Sequence, residues 1–81
     1  MRPPSVTAHS IVARLAAATG AQPRMHETPE HIRIEADLPA VLTDSARTDI
    51  LTALAAADRY GHERTEARSH VWAELDLRTA L

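Results

Sequence analysis

Histidines and carboxylates are the side chains of this sequence that could carry chemistry. Five histidines occur in 81 residues, and His26 and His31 could lie side by side across a predicted hairpin, with Glu35 on the same face. Residues four apart on one strand face are ~13 Å apart, so His31 and Glu35 cannot share one ion. The second hairpin has Thr65 in place of His26. We therefore predict no metal site.

Carboxylates that recur on two predicted strands, Glu35 with Glu74 and Asp37 with Asp76, could form an acid/base pair. Such pairs need a pocket that shifts their pKa values, and an open sheet face supplies none. With only two glycines, the chain has no glycine-rich phosphate loop. The sequence predicts a protein that is not an enzyme, with no catalytic residue and no cofactor; the repeated carboxylates serve solubility and edge protection.

Trp72, the only tryptophan, is the residue most indicative of a contact surface, because strand alternation directs it away from the predicted helices. An outward tryptophan exposes a large apolar area that often marks an interface. Alternatively, an arginine stem from Arg24, Arg33 or Arg64 covers it locally. The first alternative predicts a partner-binding face formed by Trp72, Arg33, His31, His70 and Glu74.

An internal repeat organises the elements around these residues. A shift of 39 residues aligns the chain with itself without a gap and places Ile11 on Ile50, His31 on His70 and Glu35 on Glu74. The alignment predicts one domain, 1–81, made of two tandem helix–strand–strand repeats, about 5–42 and 44–81. A pseudo-twofold axis should relate them.

Hydrophobic periodicity assigns the elements within each repeat. Apolar residues recur at helical spacing in each repeat, at Ala8, Ile11, Val12, Leu15 and Ala18 and at Ile50, Leu54 and Ala57. Ser5 is the predicted N-cap of the first helix and Gly20 its stop, and Thr43 or Asp44 caps the second. Residues 31–38 and 70–77 alternate as half-buried strands. The sequence predicts an α+β fold, αββαββ, with two helices on one face of a four-stranded, mainly antiparallel sheet.

The remaining strands, about 21–27 and 59–66, are polar and are predicted at the sheet edges, where their charges would discourage edge-to-edge pairing. Their hairpin tips are predicted at residues 28–29 and 67–68. A two-residue tip sets Met25 opposite Ile32 and Tyr60 opposite Leu75 on the core side, whereas a three-residue tip turns Met25 and Tyr60 outward. The two-residue tip is preferred because it buries the larger side chains.

Composition bounds the class of protein. The net charge of −2 lacks the basic excess typical of phosphate-backbone binding. The chain has no cysteine and no long apolar run, and its N-terminus does not read as a signal peptide. These features predict a cytoplasmic protein without membrane contact. The basic residues are all arginine and alanine is abundant, which suggests a bacterial source.

The function predicted from these features is a small non-enzymatic interaction module that forms a homodimer or binds a protein partner through its open sheet face. One alternative is a small dimeric DNA-binding or accessory regulator, in which dimerisation doubles a weak basic patch. A further alternative is an inhibitor or immunity-type protein that masks an enzyme.

Overall fold

The computed structural model describes residues 3–77. The elements are α1 (Pro4–Thr19), β1 (Arg24–Glu27), β2 (His31–Asp37), α2 (Asp44–Leu54), β3 (Arg59–Arg64) and β4 (Ser69–Asp76). The strands form one sheet in the order β1-β2-β4-β3, and every neighbouring pair is antiparallel. The predicted α+β class, with two helices and a four-stranded antiparallel sheet, is confirmed. Neither helix of this part of the chain is long and apolar enough to cross a membrane.

One apolar core lies between the helices and the inner face of the sheet. The central strands contribute Ile32, Ile34 and Ala36 from β2 and Val71, Ala73 and Leu75 from β4. The helices contribute Ala8, Ile11 and Leu15 from α1 and Ile50, Ala53 and Leu54 from α2. The alternation predicted for the two inner strands is therefore confirmed. Small side chains make up a large part of this core, so each helix buries little apolar area.

The start of α1 differs from the predicted Ser5 cap. The helix begins at Pro4, its N-cap is Pro3, and no side chain accepts a hydrogen bond there. Proline at the first helical position has the helical φ already fixed and has no N–H to satisfy, so the helix starts without a polar cap. Gly20 ends α1 as predicted, with φ of 73°, a left-handed conformation that glycine adopts without a steric cost.

The second helix has the polar cap that the first lacks. Thr43 is the N-cap, and its hydroxyl accepts a hydrogen bond from the backbone N–H of Ala46 at 3.0 Å. This contact satisfies one of the unpaired N–H groups at the helix start. Of the two predicted candidates, Thr43 is therefore the cap.

The hairpins have two-residue tips, but each tip lies one position from the predicted one. Hydrogen bonds from Thr28 N–H to the His31 carbonyl and from Thr65 N–H to the Arg68 carbonyl, both 2.8 Å, place the tips at residues 29–30 and 66–67. The threonine hydroxyls accept from backbone N–H groups across each turn, and this closure selects the register.

The shifted tips correct the predicted strand pairings. Met25 lies opposite Ile34 rather than Ile32, and Tyr60 lies opposite Ala73 rather than Leu75. Both side chains stay on the helix side of the sheet, as a two-residue tip requires. However, Met25 remains 42% exposed and Tyr60 50% exposed, because neither helix extends over the outer strands.

Candidate functional site

The outer face of the sheet, opposite the helices, is the candidate site. The central strands direct His31, Arg33, Glu35 and Asp37 from β2 and His70, Trp72, Glu74 and Asp76 from β4 to this face. The edge strands add Arg24 from β1, opposite Glu35, and Arg59 from β3, opposite Glu74. Strand alternation puts these polar side chains together because the other face is occupied by the core.

An ion-pair network crosses all four strands on this face. Its N–O distances are 3.2 Å for Arg24–Asp37, 3.6 Å for Arg24–Glu35, 2.8 Å for Arg33–Glu35, 2.8 Å for Arg33–Glu74, 3.2 Å for Arg59–Glu74 and 2.7 Å for Arg59–Asp76. Each arginine bridges two carboxylates. Three arginines and four carboxylates therefore hold one another in fixed positions from one sheet edge to the other.

Trp72 lies in this network between Arg33 and Gly61. The Arg33 guanidinium carbon is 4.7 Å from the ring centroid, which is a cation–π geometry. Gly61 is the cross-strand neighbour of Trp72, and a Cβ added at Gly61 would lie 2.6 Å from the indole Nε1. The ring therefore lies over the glycine, where no other residue would leave it room.

Four of the five predicted site residues come together, and the fifth lies apart. Arg33 contacts Trp72 and Glu74, and His31 Nε2 lies 3.7 Å from Glu74 Oε2. His70 is further along β4 and pairs instead with Glu63 at 2.9 Å. Among the three arginines considered as cover for Trp72, Arg33 provides it.

The predicted neighbour pair of His26 and His31 is wrong. The register places His26 opposite Arg33, because the hairpin tip lies one residue later than predicted. Within residues 3–77 no group of three or more His, Cys, Asp or Glu side chains is arranged to hold a metal ion.

Hydrogen bonds from the arginines lower the pKa values of three network carboxylates, Glu35, Asp37 and Glu74. Donation by Arg33 lowers the pKa of both Glu35 and Glu74, with partial burial opposing it. Donation by Arg24 lowers the pKa of Asp37 in the same way. Conversely, hydrogen bonds to Asp76 and Glu74 raise the pKa of Arg59. The carboxylates are therefore ionised at neutral pH, which favours binding and disfavours proton donation.

Sequence reasoning did not identify Arg59 and Gly61 as members of this face. The 39-residue shift aligns Glu35 with Glu74, but the arginines opposite them, Arg24 and Arg59, stand 35 positions apart. A gapless alignment therefore cannot pair those arginines. The signal available in the sequence was an arginine at the start of each edge strand.

A groove of about 290 Å³ lies on the other side of the sheet, between α2 and the β3 edge. Its lining is Leu38, Leu42, Arg47, Ile50, Leu51, Leu54, Tyr60, Gly61, His62 and Val71. Leu51 is 54% exposed and Tyr60 50% exposed, so apolar surface reaches solvent beside β3.

Comparisons of this chain with protein-family models, with curated proteins and with solved structures find no match.

Proposed function

We propose that this protein is a small non-enzymatic interaction module that associates with a second copy of itself through its sheet, with Trp72 and Arg33 at the contact. The observation that carries the proposal is the outer face, which neither α1 nor α2 covers and whose charged side chains are fixed by a network across four strands. Side chains already held in place lose little conformational freedom on binding.

The charge pattern of this face suits a second copy of the chain. Arginines and carboxylates alternate across the strands and nearly balance, so the surface is complementary to another surface of the same kind. A surface that attracts nucleic acid has unpaired positive charge, whereas Arg24, Arg33 and Arg59 are each bound to two carboxylates. This pairing favours a protein contact over the alternative of a DNA-binding regulator.

The thin core gives association a second role. Its members include four alanines, Ala8, Ala36, Ala53 and Ala73, and a domain of this size has little apolar area to bury. Association with a second copy adds buried surface to the folded state alone and therefore raises the free energy of unfolding.

The lowered pKa values of Glu35, Asp37 and Glu74 support a role without catalysis. A general acid at neutral pH needs a raised carboxyl pKa, which comes from burial or from a neighbouring negative charge. Each of these carboxylates instead lies against an arginine on an open face.

We also infer that the chain arose by duplication of one helix–hairpin unit. The central strands support a pseudo-twofold relation, because Ile34 lies opposite Ala73, 39 positions away. The edge arginines support it too, since Arg24 faces Glu35 and Arg59 faces Glu74. The second hairpin is then four residues longer than the first. Related sequences with hairpins of equal length would test this inference.

Sedimentation of the wild-type chain and of Trp72→Ala tests the proposed self-association. We expect the wild type to sediment as a dimer and Trp72→Ala to dissociate at concentrations where the wild type does not. Val41→Ala is the matched control, because Val41 is an exposed apolar residue outside the sheet. If the wild type and Trp72→Ala are both monomers at every concentration, the protein does not self-associate and the proposal is wrong.

A further inference from the structure

The outer edge of β3 has backbone groups that point away from the sheet. In an antiparallel sheet, the backbone groups of successive residues point alternately to one neighbouring strand and to the other. The hydrogen bond from Thr65 N–H to the Arg68 carbonyl shows which residues of β3 bond to β4. Tyr60, His62 and Arg64 therefore direct their N–H and C=O groups away from β4. Within residues 3–77 no strand pairs with this edge.

The geometry points to a β3–β3 pairing between two copies of the chain, antiparallel and twofold, with Gly61 on the axis. The two four-stranded sheets then form one continuous sheet. Tyr60 of each copy exchanges backbone hydrogen bonds with His62 of the other. This inference rests on the proposed self-association and places it at the β3 edge, so that the two outer faces lie side by side and meet at Trp72.

Charge complementarity indicates that the strand pairing with the β3 edge is β3 of a second copy. Residues 59–63, Arg-Tyr-Gly-His-Glu, complement themselves when one copy runs opposite to the other. Around Gly61, Arg59 of each copy faces Glu63 of the other. The Arg59 and Glu63 side chains are 48% and 59% exposed, although within its own copy Arg59 bonds Glu74 and Asp76 and Glu63 lies 2.9 Å from His70. A pair across the edge therefore joins the ion-pair network of one copy to that of the other.

Other registers allowed by the free backbone groups lose these pairs. Centred on His62, the pairing sets Gly61 opposite Glu63 and Arg59 opposite Thr65, with no opposite charges facing each other. Centred on Glu63, it sets the two Glu63 carboxylates against each other, which is unfavourable. The charged residues that were expected to discourage edge pairing therefore favour the register around Gly61 over these two.

The twofold axis through Gly61 also brings the Trp72 side chains of the two copies together. Its ring lies over Gly61, and the two Gly61 residues face each other with Cα atoms about 4.5 Å apart in such a pair. Because neither glycine has a side chain, nothing separates the two indole rings, which come together on the outer face. The predicted contact residue Trp72 thereby lies at the centre of the dimer.

On the helix side, the groove beside β3 provides apolar surface for the contact. Tyr60 and Leu51 are half-exposed there, and the second copy places its His62 opposite Tyr60. The other sheet edge lacks these features. A pairing of two β1 strands centred on His26 would set Met25 opposite Glu27 of the second copy. The apolar groove lies at the opposite edge of the sheet, beside β3.

Proline substitutions on the two edges distinguish this arrangement from any other dimer. His62→Pro removes an N–H that points to the second copy and costs none of the bonds to β4. Met25→Pro is the matched control, because the Met25 N–H points away from β2 at the free edge of β1, as the His62 N–H points away from β4. We expect sedimentation to show a dissociation constant for His62→Pro at least about tenfold above that of wild type, and that of Met25→Pro unchanged.

A charge reversal provides a second, independent measurement should His62→Pro fail to fold. Glu63→Arg sets the new guanidinium against Arg59 of the second copy and should dissociate the dimer, whereas Glu66→Arg at the hairpin tip should not. Trp72 fluorescence of the wild type should change on dilution as the two rings separate.

The outcomes separate the two proposals. A dimeric wild type whose affinity survives both His62→Pro and Glu63→Arg overturns the β3 arrangement while self-association stands. A wild type that is monomeric at every concentration overturns both.

Discussion

Trp72 is held by two residues that act in different ways. Arg33 places its guanidinium over the ring, and Gly61 leaves the space that the ring occupies. The cation–π contact orients the same arginine that bonds Glu35 and Glu74, so the position of the ring and the order of the charges depend on each other. Of the two roles predicted for Trp72, the structure shows the local cover by Arg33, and use as a contact stays a prediction.

The pH dependence of stability should report the arginine–carboxylate contacts. The folded pKa values of Glu35 and Glu74 lie below the ordinary value of 4.5. A lowered folded pKa stabilises the protein above the ordinary value, and this contribution is lost as the pH falls through the folded value. Stability should therefore decrease on acidification from about pH 5 to pH 3.

Arg33→Gln tests the origin of that slope. Removing the donor should raise the pKa of Glu74 and Glu35 towards the ordinary value, seen by NMR titration of the side-chain carboxyl carbons, and should flatten the loss of stability on acidification. Arg14→Gln, on the exposed side of α1, should leave both unchanged. An unaltered Glu74 titration in Arg33→Gln would show that the hydrogen bond is not the cause.

At the scale of single elements, threonine hydroxyls fix three boundaries. Thr28 and Thr65 accept from backbone N–H groups across the hairpin tips, and Thr43 does so at the start of α2. Threonine competes well for backbone donors at turns and helix starts. The equivalent turns in both hairpins therefore share a residue type although the tips themselves, residues 29–30 and 66–67, have different sequences.

Thr43→Ala should destabilise the protein by about 1 kcal/mol, because the Ala46 N–H loses its acceptor at the helix start. Urea denaturation followed by circular dichroism would measure the change. Ser5→Ala is the control, since the N-cap of α1 is Pro3 and makes no side-chain bond; we expect a change close to zero. A loss of similar size in Ser5→Ala would contradict the cap assignment of α1.

At the scale of the whole molecule, folding and association should be coupled. A thin core gives the single chain a small free energy of unfolding, and the proposed dimer would add to it by mass action. A tenfold rise in protein concentration should raise the Tm of the wild type by roughly 3–5 °C. Differential scanning calorimetry at several concentrations measures this shift.

The same scans on His62→Pro provide the comparison. Its Tm should depend on concentration less than that of the wild type, because a smaller fraction of the variant is expected to unfold from a dimer. A concentration-dependent Tm in His62→Pro, equal to that of the wild type, would show that association uses another surface than the β3 edge.

The secondary elements and the inner face followed from the sequence because they depend on local periodicity. The alternation from Ile32 to Ala36 and from Val71 to Leu75 predicts which side chains are buried, and it does so whichever strand lies alongside. The exposure of Tyr60 did not follow, since it depends on how far α2 extends over the sheet. The register did not follow either, because Thr28 and Pro29 both fit a turn and one residue decides the pairing.

The sequence by itself determined the αββαββ order, the antiparallel sheet and the outward direction of Trp72 and Arg33, because local periodicity and turn residues encode them. Only the tertiary structure decided that Arg24 and Arg59 face Glu35 and Glu74 and that Gly61 lies under Trp72. Those contacts join residues 11 to 15 positions apart, and they exist only once the hairpin register is set. The site is therefore a product of register, and register is fixed by the folded sheet as a whole.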